Sequence, residues 1–497
     1  MQNILARFLK QSSHYSIAQI LILASSLISF PILTRVFSPA DYGLMNLIAT
    51  TLIILVALAK GGLQHGVVRD FDAYNSSEGG NRDGLKTFIA SGLWGGIVLA
   101  LGLTLIWLFG NLLAAKFNFV DGRISTLIAV SSGLVFFRAA ESLLLAFWRA
   151  EQETAVLNFY RVLSRYLNLG LILVFLFWVS GTLEAFYAAQ ALAMALSFGF
   201  MLRWRIKRSS PNPVKFSPNV FKATLLYGAP LIGFELGSVL MNSADKYLLQ
   251  IFLNLEAVGY YSAAYNLTDY VKDVAVLPLA TAVVPVYMRI WAQQGEAETH
   301  RFLQNALKTY LFLAVPLAFG CIAVKVDLIS VIASTKFQQG HVIMPWIIFG
   351  MLANGALPIL AAGLYIHKKT GALTMLLAVV IVLNVGLSTA LIPLLGLEGA
   401  AIAKLLSYLV LAVWAKKRAG KSLHFQFPWP TLLNAGLAGA AMWFFLEQIS
   451  FSTPLWSLAV EIVLGASIYF AILALIDKDF LRNVTRVFRN QAGKMFS

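Results

Sequence analysis

Long apolar stretches separated by short polar segments recur along the chain, from Ile17 to the C-terminal region. Most are about 20 residues long or longer, which is the length that an α-helix needs to cross a bilayer. The first stretch is too long for the apolar core of a signal peptide, and no small-residue cleavage site follows it, so we expect it to be retained as a helix. The pattern predicts about fourteen spans, near 17–36, 43–62, 85–109, 124–147, 155–179, 184–203, 223–253, 259–286, 302–324, 342–366, 372–394, 399–415, 431–449 and 456–476.

Composition supports the same class of protein. Hydrophobic residues make up 59% of the chain and charged residues 12%, whereas about 25% of a typical soluble domain is charged. Because a soluble protein this apolar could not cover its own surface, the sequence predicts an all-α integral membrane protein. The single cysteine, Cys321, excludes an intrachain disulfide and a cysteine-based zinc site.

The charge distribution predicts the topology. The net charge is +15, which in a soluble protein would suggest nucleic acid. With the N-terminus inside, about 26 of the cations fall on that side of the predicted map and about 5 on the other, as cytoplasmic retention of Lys and Arg requires. We therefore expect both termini to be cytoplasmic, an even number of spans and no nucleic-acid partner.

Two pairs of short motifs indicate an internal repeat. Gly43 and Gly259 follow the first and seventh spans and lie 216 positions apart, while Glu184 and Glu398 open the sixth and twelfth spans and lie 214 positions apart. Six spans per copy give both copies the same orientation, so a pseudo-twofold axis along the membrane normal is expected. The predicted organisation is an N-lobe at 1–203 (spans 1–6), a basic cytoplasmic linker at 204–222, a C-lobe at 223–418 (spans 7–12), and spans 13–14 with a basic cytoplasmic tail at 419–497.

The same motifs carry a family resemblance. The segment 33–43, with Arg35, Asp41 and Gly43, and the segments 243–247, 258–265 and 396–403 resemble the Wzx-type polysaccharide flippases. These proteins belong to the multidrug/oligosaccharidyl-lipid/polysaccharide (MOP) transporter superfamily. The resemblance implies a MATE-like fold, in which two six-helix lobes surround a central cavity and work by alternating access, here with two extra C-terminal helices.

The implied function is transport rather than catalysis. The resemblance implies a substrate of oligosaccharide on a polyprenyl diphosphate (an O-antigen, capsule or exopolysaccharide repeat unit), moved to the outer leaflet of the bacterial cytoplasmic membrane. Membrane lipids and other polysaccharide assembly proteins are the expected partners. No P-loop, zinc-protease or nucleophile-elbow motif occurs in the sequence. A MATE-like drug or cation antiporter is the alternative, and a membrane-embedded polymerase or glycosyltransferase is the alternative from another class.

Seven cations inside the predicted spans and away from their ends need an explanation, because a charge at mid-membrane costs about 2.5–3.5 kcal/mol. Arg161 and Arg165 share a helix face and have no acid within one turn in their own span, although Glu153 and Asp245 are candidates to approach them. An unpaired cationic face suits a diphosphate. The predicted cavity cations are Arg161, Arg165, Arg138, Lys272, Lys246 and Lys308, and the seventh cation inside the spans is Lys404. The competing interpretation is ion pairing between helices, as for Arg138 with Glu141 and Lys272 with Asp269.

Intramembrane acids in the second half are the candidates for energy coupling. Asp245, Asp269 and Glu235 are predicted either to pair with cations or to bind a coupling H⁺ or Na⁺. No other cofactor and no metal site is expected, because His341 and His367 lack ligand spacing.

Overall fold

The computed structural model describes the chain over residues 2–75, 82–209, 215–421, 423, 425–449 and 454–477. These residues form helices joined by short turns, without a strand. The α-helices are α1 Gln2–Val36, α2 Pro39–Lys60, α3 Leu63–Asn75, α4 Arg82–Lys116, α5 Gly122–Ala150, α6 Thr154–Val174, α7 Leu183–Ser209, α8 Pro218–Phe252, α9 Leu255–Gln294, α10 Glu296–Ala323, α11 Lys325–Leu328, α12 Met344–Gly355, α13 Leu357–Leu360, α14 Ala362–Ile366, α15 Thr370–Leu395, α16 Leu397–Gly420, α17 Trp429–Glu447 and α18 Pro454–Ile476. A π-helical turn at Phe175–Val179 extends α6, and a second one at Ile329–Ala333 leads to a 3₁₀ segment at Thr335–Ile343.

Twelve helical segments of the described chain are long and apolar enough to cross a membrane. The predicted all-α, multi-pass membrane class is therefore confirmed. Two predicted spans, 259–286 and 431–449, coincide with α9 and α17, which are not among the twelve. The polar group Asp269, Lys272 and Asp273 lies on α9. The full count of fourteen stays a prediction.

The chain divides into two compact units. The first comprises Met1–Phe37 and Leu44–Ser243, and the second comprises Ser38–Gly43 and Ala244–Ser497. This division falls inside α8 rather than in the basic segment at 204–222. Because compactness and sequence repetition are separate properties, the lobe boundaries expected from the repeat stay a prediction.

In the first unit, α3, α4, α5, α6 and α7 share an aromatic core near the ends of α5 and α7. Trp148 on α5 lies edge-on to Trp204 on α7, at 5.0 Å between ring centroids, and to Tyr160 on α6 at 5.6 Å. Phe88 on α4 and Phe147 on α5 are buried in the same cluster. Large rings of this kind bury much apolar area and have few rotamers, so they fix the helices that carry polar side chains nearby.

In the second unit, α17 and α18 pack against α10. Met442 on α17 and Tyr469 on α18 are buried together, and the Tyr469 hydroxyl donates to the carbonyl oxygen of Phe312 on α10 at 3.2 Å. In the same unit α12 packs against α9 and α16, and α15 packs against α16.

Candidate functional site

A polar stripe runs along one face of α6. Asn158, Arg161, Arg165 and Asn168 are spaced by three, four and three residues, so they lie one above another over nearly three turns. Asn158 is buried and the other three are partly buried. The sequence analysis identified the two arginines and missed the two asparagines. The signal was available, because the asparagines continue the same spacing in a mostly apolar helix.

The polar atoms of this stripe are incompletely satisfied. Arg165 donates from Nη2 to Oγ of Ser26 on α1 at 2.9 Å, while its Nε is buried without a hydrogen-bond partner. Both amide atoms of Asn158 and Oδ1 of Asn168 are likewise buried without a partner in the described part of the chain. Because buried polar atoms are nearly always hydrogen-bonded, several orphaned atoms on one helix face indicate a site for water or a polar ligand.

Arg138 and Glu141 on α5 complete the charged group. Arg138 donates from Nη2 to Oε1 of Gln190 on α7 at 2.9 Å, rather than forming the ion pair that its spacing from Glu141 suggested. The Glu141 carboxylate accepts from the Tyr160 hydroxyl at 2.6 Å and interacts electrostatically with both Arg138 and Arg161. The acid near these arginines is therefore Glu141, and not Asp245, which pairs elsewhere.

This group carries more positive than negative charge. Over the described residues, no carboxylate oxygen lies within 4.0 Å of Arg138, Arg161 or Arg165. Three guanidinium groups and the single carboxylate of Glu141 leave an excess of two positive charges. A planar guanidinium presents two parallel N–H groups to an oxyanion, which makes it well suited to bind phosphate. The arrangement can therefore hold a dianionic group.

Lys272 has a different environment from the arginines. Its Nζ lies 2.6 Å from Oδ1 of Asp269 and 3.1 Å from Oδ1 of Asp273, both on the same helix, α9. These two carboxylates already compensate the lysine charge, as the competing interpretation expected. The roles assigned to Lys272 in substrate binding and to Asp269 in coupling stay predictions.

Asp245 lies in a buried ion pair in the second unit. Its Oδ2 is 2.6 Å from Nζ of Lys404 on α16, and the two side chains are 0% and 1% exposed. The Tyr261 hydroxyl donates to the same oxygen, and the backbone N–H of Lys246 donates to Oδ1 at 3.1 Å. Sequence analysis did not pair Lys404 with Asp245, because 159 positions separate the two residues. Only the packing of α16 against its neighbours brings the two together.

Of the remaining predicted charges, Glu235 and Lys308 lie outside these ion pairs, whereas Lys246 is the neighbour of Asp245. Glu235 on α8 forms an ion pair with Lys60 at the end of α2 and accepts from Nε2 of Gln64 at 3.2 Å. Lys60 is itself buried. Lys246 is buried near Asp245. Lys308 on α10 is partly buried and has no carboxylate oxygen within 4.0 Å in the described ranges.

The motif positions form helix starts and turns. Asp41 lies in the first turn of α2, where its backbone N–H donates to Oγ of Ser38 at 3.1 Å. Arg35 donates to the carbonyl oxygen of Pro31 within α1. Glu184 in the first turn of α7 is 3.8 Å from Arg123, and Glu398 occupies the equivalent turn of α16. Their contacts are those of residues that begin or join helices.

Comparisons with known proteins agree with this fold. A family model described as polysaccharide biosynthesis protein matches residues 8–291, and one described as lipid II flippase MurJ matches residues 247–471. A protein of Haloferax volcanii described as a probable low-salt glycan biosynthesis flippase, Agl15, is 22% identical over 348 residues, which are 67% of this chain and 70% of the relative.

Two solved structures show the same architecture. A structure of lipid II flippase MurJ in an inward closed conformation has a TM-score of 0.73 at 15% identity, covering 95% of this chain and 100% of the other. An inward-facing multidrug resistance MATE family transporter of the MOP superfamily has a TM-score of 0.62 at 16% identity, covering 89% and 100%. At these identities the likeness establishes the fold.

Proposed function

The chain belongs to the polysaccharide biosynthesis protein family, and we propose that it moves a polyprenyl-diphosphate-linked oligosaccharide across the cytoplasmic membrane of a bacterium. Transport runs from the cytoplasmic to the outer leaflet. One matching family model is named for a lipid II flippase, and the Haloferax volcanii relative is described as a probable glycan biosynthesis flippase. The protein acts as a transporter rather than as an enzyme, and the lobes at 1–203 and 223–418 alternate their access to the two sides.

The observation that carries this proposal is the arginine group of α5 and α6. A diphosphate bears about two negative charges, which match the excess of two positive charges around Arg138, Arg161 and Arg165. The buried, unpartnered Nε of Arg165 and Nδ2 of Asn158 can both donate hydrogen bonds to such a ligand. Several spaced cations suit a mobile dianion, which must bind and then leave.

The proposed topology follows from the charge distribution. Both termini and the basic segment 204–222 lie in the cytoplasm, because cations are concentrated on that side of the predicted map. Asp245, Asp269 and Glu235 are the candidate sites for a coupling H⁺ or Na⁺. Membrane lipids and other polysaccharide assembly proteins are the expected partners.

The test is a leaflet assay with purified protein. Proteoliposomes are loaded with a polyprenyl-diphosphate oligosaccharide that carries a fluorescent sugar tag, and a membrane-impermeant quencher measures the fraction of tag in each leaflet. Wild-type protein should expose tag that is protected in protein-free liposomes. The Arg161→Gln, Arg165→Gln double variant should not, whereas the control pair Arg149→Gln, Arg289→Gln, at exposed positions, should behave as wild type.

Two outcomes would contradict the proposal. Transport at the wild-type rate by the double variant would exclude the arginine group as the diphosphate site. Exchange of an organic cation against protons, without movement of the tagged lipid, would instead favour the MATE-like antiporter.

A further inference from the structure

A cavity of about 500 Å³ opens at the C-terminal end of α16. Three of its lining residues are lysines and none is acidic. The cationic residues are Lys416, Lys417 and Lys421, and the apolar ones include Val413, Leu423 and Phe425. The cavity belongs to the second unit and lies far along the chain from the arginine group of α6.

Lys416 builds the wall of this cavity. Its Nζ donates to the carbonyl oxygen of Phe425 at 2.9 Å and lies 4.0 Å from the centre of the Phe425 ring. Leu423 and Phe425 are themselves buried. The lysine thus fixes the turn between α16 and α17, because its ammonium group interacts with both the carbonyl oxygen and the ring of Phe425.

Lys417 and Lys421 have a different role from Lys416. Both are exposed, and within the described chain no carboxylate oxygen lies within 4.0 Å of either ammonium group. Two lysines without a paired carboxylate therefore lie beside the apolar part of the cavity. An anion that binds them need not displace an existing ion pair.

An apolar track leads to these lysines along α16. Leu406, Leu409, Val410 and Val413 are all exposed, and their spacing of three, one and three residues places them on one face of the helix. Lys417 is one turn beyond Val413 on the same face. This face of α16 therefore changes from apolar to cationic at the end of the helix. Apolar and charged parts follow one another in the same order as the acyl chains and the headgroup of a phospholipid.

We propose that this cavity binds the headgroup of an anionic phospholipid, with the acyl chains lying along the apolar track. Basic pockets between helices on the cytoplasmic side of a membrane are suited to such headgroups, and each lysine near the surface adds to the attraction. The charge distribution predicts this end of α16 to be cytoplasmic. The continuity of cavity and track favours a lipid over a soluble phosphate, because a soluble ion would gain nothing from the apolar face.

Native mass spectrometry of the full-length protein in detergent tests this site. Phosphatidylglycerol and cardiolipin are titrated, with phosphatidylethanolamine as the zwitterionic comparison. We expect one retained anionic lipid in the wild type and binding at least about tenfold weaker in the Lys417→Gln, Lys421→Gln variant. The variant Lys417→Arg, Lys421→Arg should keep the lipid. A matched control, Lys368→Gln, Lys369→Gln, removes the same charge from another turn and should bind as wild type.

Three results would overturn the proposal. Equal weakening in the control pair would mean that only net charge matters. Displacement of the lipid by inorganic phosphate at equimolar concentration would assign the cavity to a soluble anion. Preferential retention of a polyprenyl diphosphate, lost in the glutamine variant, would assign it to the transported lipid. Melting temperatures measured without added lipid show whether each variant is folded, and Lys416 is left intact because it holds the turn.

Discussion

Gly43 and Gly259 each pack against the helix that carries the other. A Cβ atom on Gly43 would overlap the carbonyl oxygen of Leu255, and a Cβ atom on Gly259 would overlap that of Pro39. Leu255 and Pro39 are the first residues of α9 and α2. The contact is therefore reciprocal, as expected for two copies of one motif that meet across a local twofold axis.

The helix caps repeat with the same offset. Ser38 accepts at Oγ from the backbone N–H of Asp41 at 3.1 Å, and Asn254 accepts at Oδ1 from that of Ala257 at 2.8 Å. Each cap satisfies a backbone donor three residues into its helix. Both cap positions and both donors are 216 apart, so the sequence repeat reflects equivalent local structure.

Replacing Gly43 by Ala should destabilise this contact. The added methyl group meets backbone rather than a movable side chain, so the helices must separate, and we expect a loss of about 1–3 kcal/mol in the free energy of unfolding. The melting temperature in detergent measures the effect. Gly386→Ala on α15 is the control, because nothing lies within 4 Å of its added Cβ. Equal melting temperatures of the two variants would mean that the close approach of the helices at Gly43 does not stabilise the protein.

Replacing Lys404 by Met should leave the buried carboxylate of Asp245 without its cation. Removing one member of a buried pair costs about 3–5 kcal/mol, whereas the exposed control Lys368→Met should change little. The double variant Asp245→Asn, Lys404→Met should recover most of the loss, as a double-mutant cycle in unfolding free energy would reveal. Additive losses would contradict the pairing.

The same double variant examines the proposed coupling role of Asp245. If Asp245 binds the coupling ion, the folded double variant should lose the response of lipid movement to an imposed H⁺ or Na⁺ gradient. A response equal to that of the wild type would limit Asp245 to stabilising the fold.

Periodicity and charge predicted most of the helices, because each span is encoded locally by about 20 apolar residues. The offset of the repeat could also be predicted from short motifs. The helices α4 and α10 start 214 positions apart, and α6 and α15 start 216 positions apart. The pairing of charges was not predictable in this way. Whether Arg138 bonds to Gln190 or to Glu141 depends on how α5 and α7 pack, which no spacing within one helix specifies.

Helix ends were the second source of error. Arg205 was assigned to the basic linker at 204–222, but α7 continues to Ser209. Its side chain is 1% exposed and lies 2.6 Å from Oε1 of Glu151. Because Arg205 lies beyond the apolar part of its span, the sequence predicted a solvent-exposed side chain. The helix in fact continues past it and buries it against Phe147.

Replacing Arg205 by Met should therefore destabilise the first unit. The carboxylate of Glu151 would keep its partly buried position without a cation, at a cost of about 3 kcal/mol. Arg203→Met, two residues earlier and exposed, is the matched control, since it removes the same charge from the same helix. The free energies of unfolding of the two variants, measured by tryptophan fluorescence, should differ by most of this amount. Similar curves would indicate that Arg205 behaves as a solvated loop cation.

Replacing Arg165 by Ala should abolish transport while leaving the amount of folded protein unchanged. Within the described chain its guanidinium hydrogen-bonds to Ser26 and has no carboxylate within 4.0 Å, so its removal leaves no buried charge uncompensated. Arg165→Lys should restore transport partly, because the charge remains but the bidentate geometry is lost. Transport and protein amount must be measured on the same preparations, with Arg149→Ala as control. A parallel fall of both would instead support an internal ion pair, for which a loss of about 3–5 kcal/mol is expected, and the diphosphate site would have to lie elsewhere.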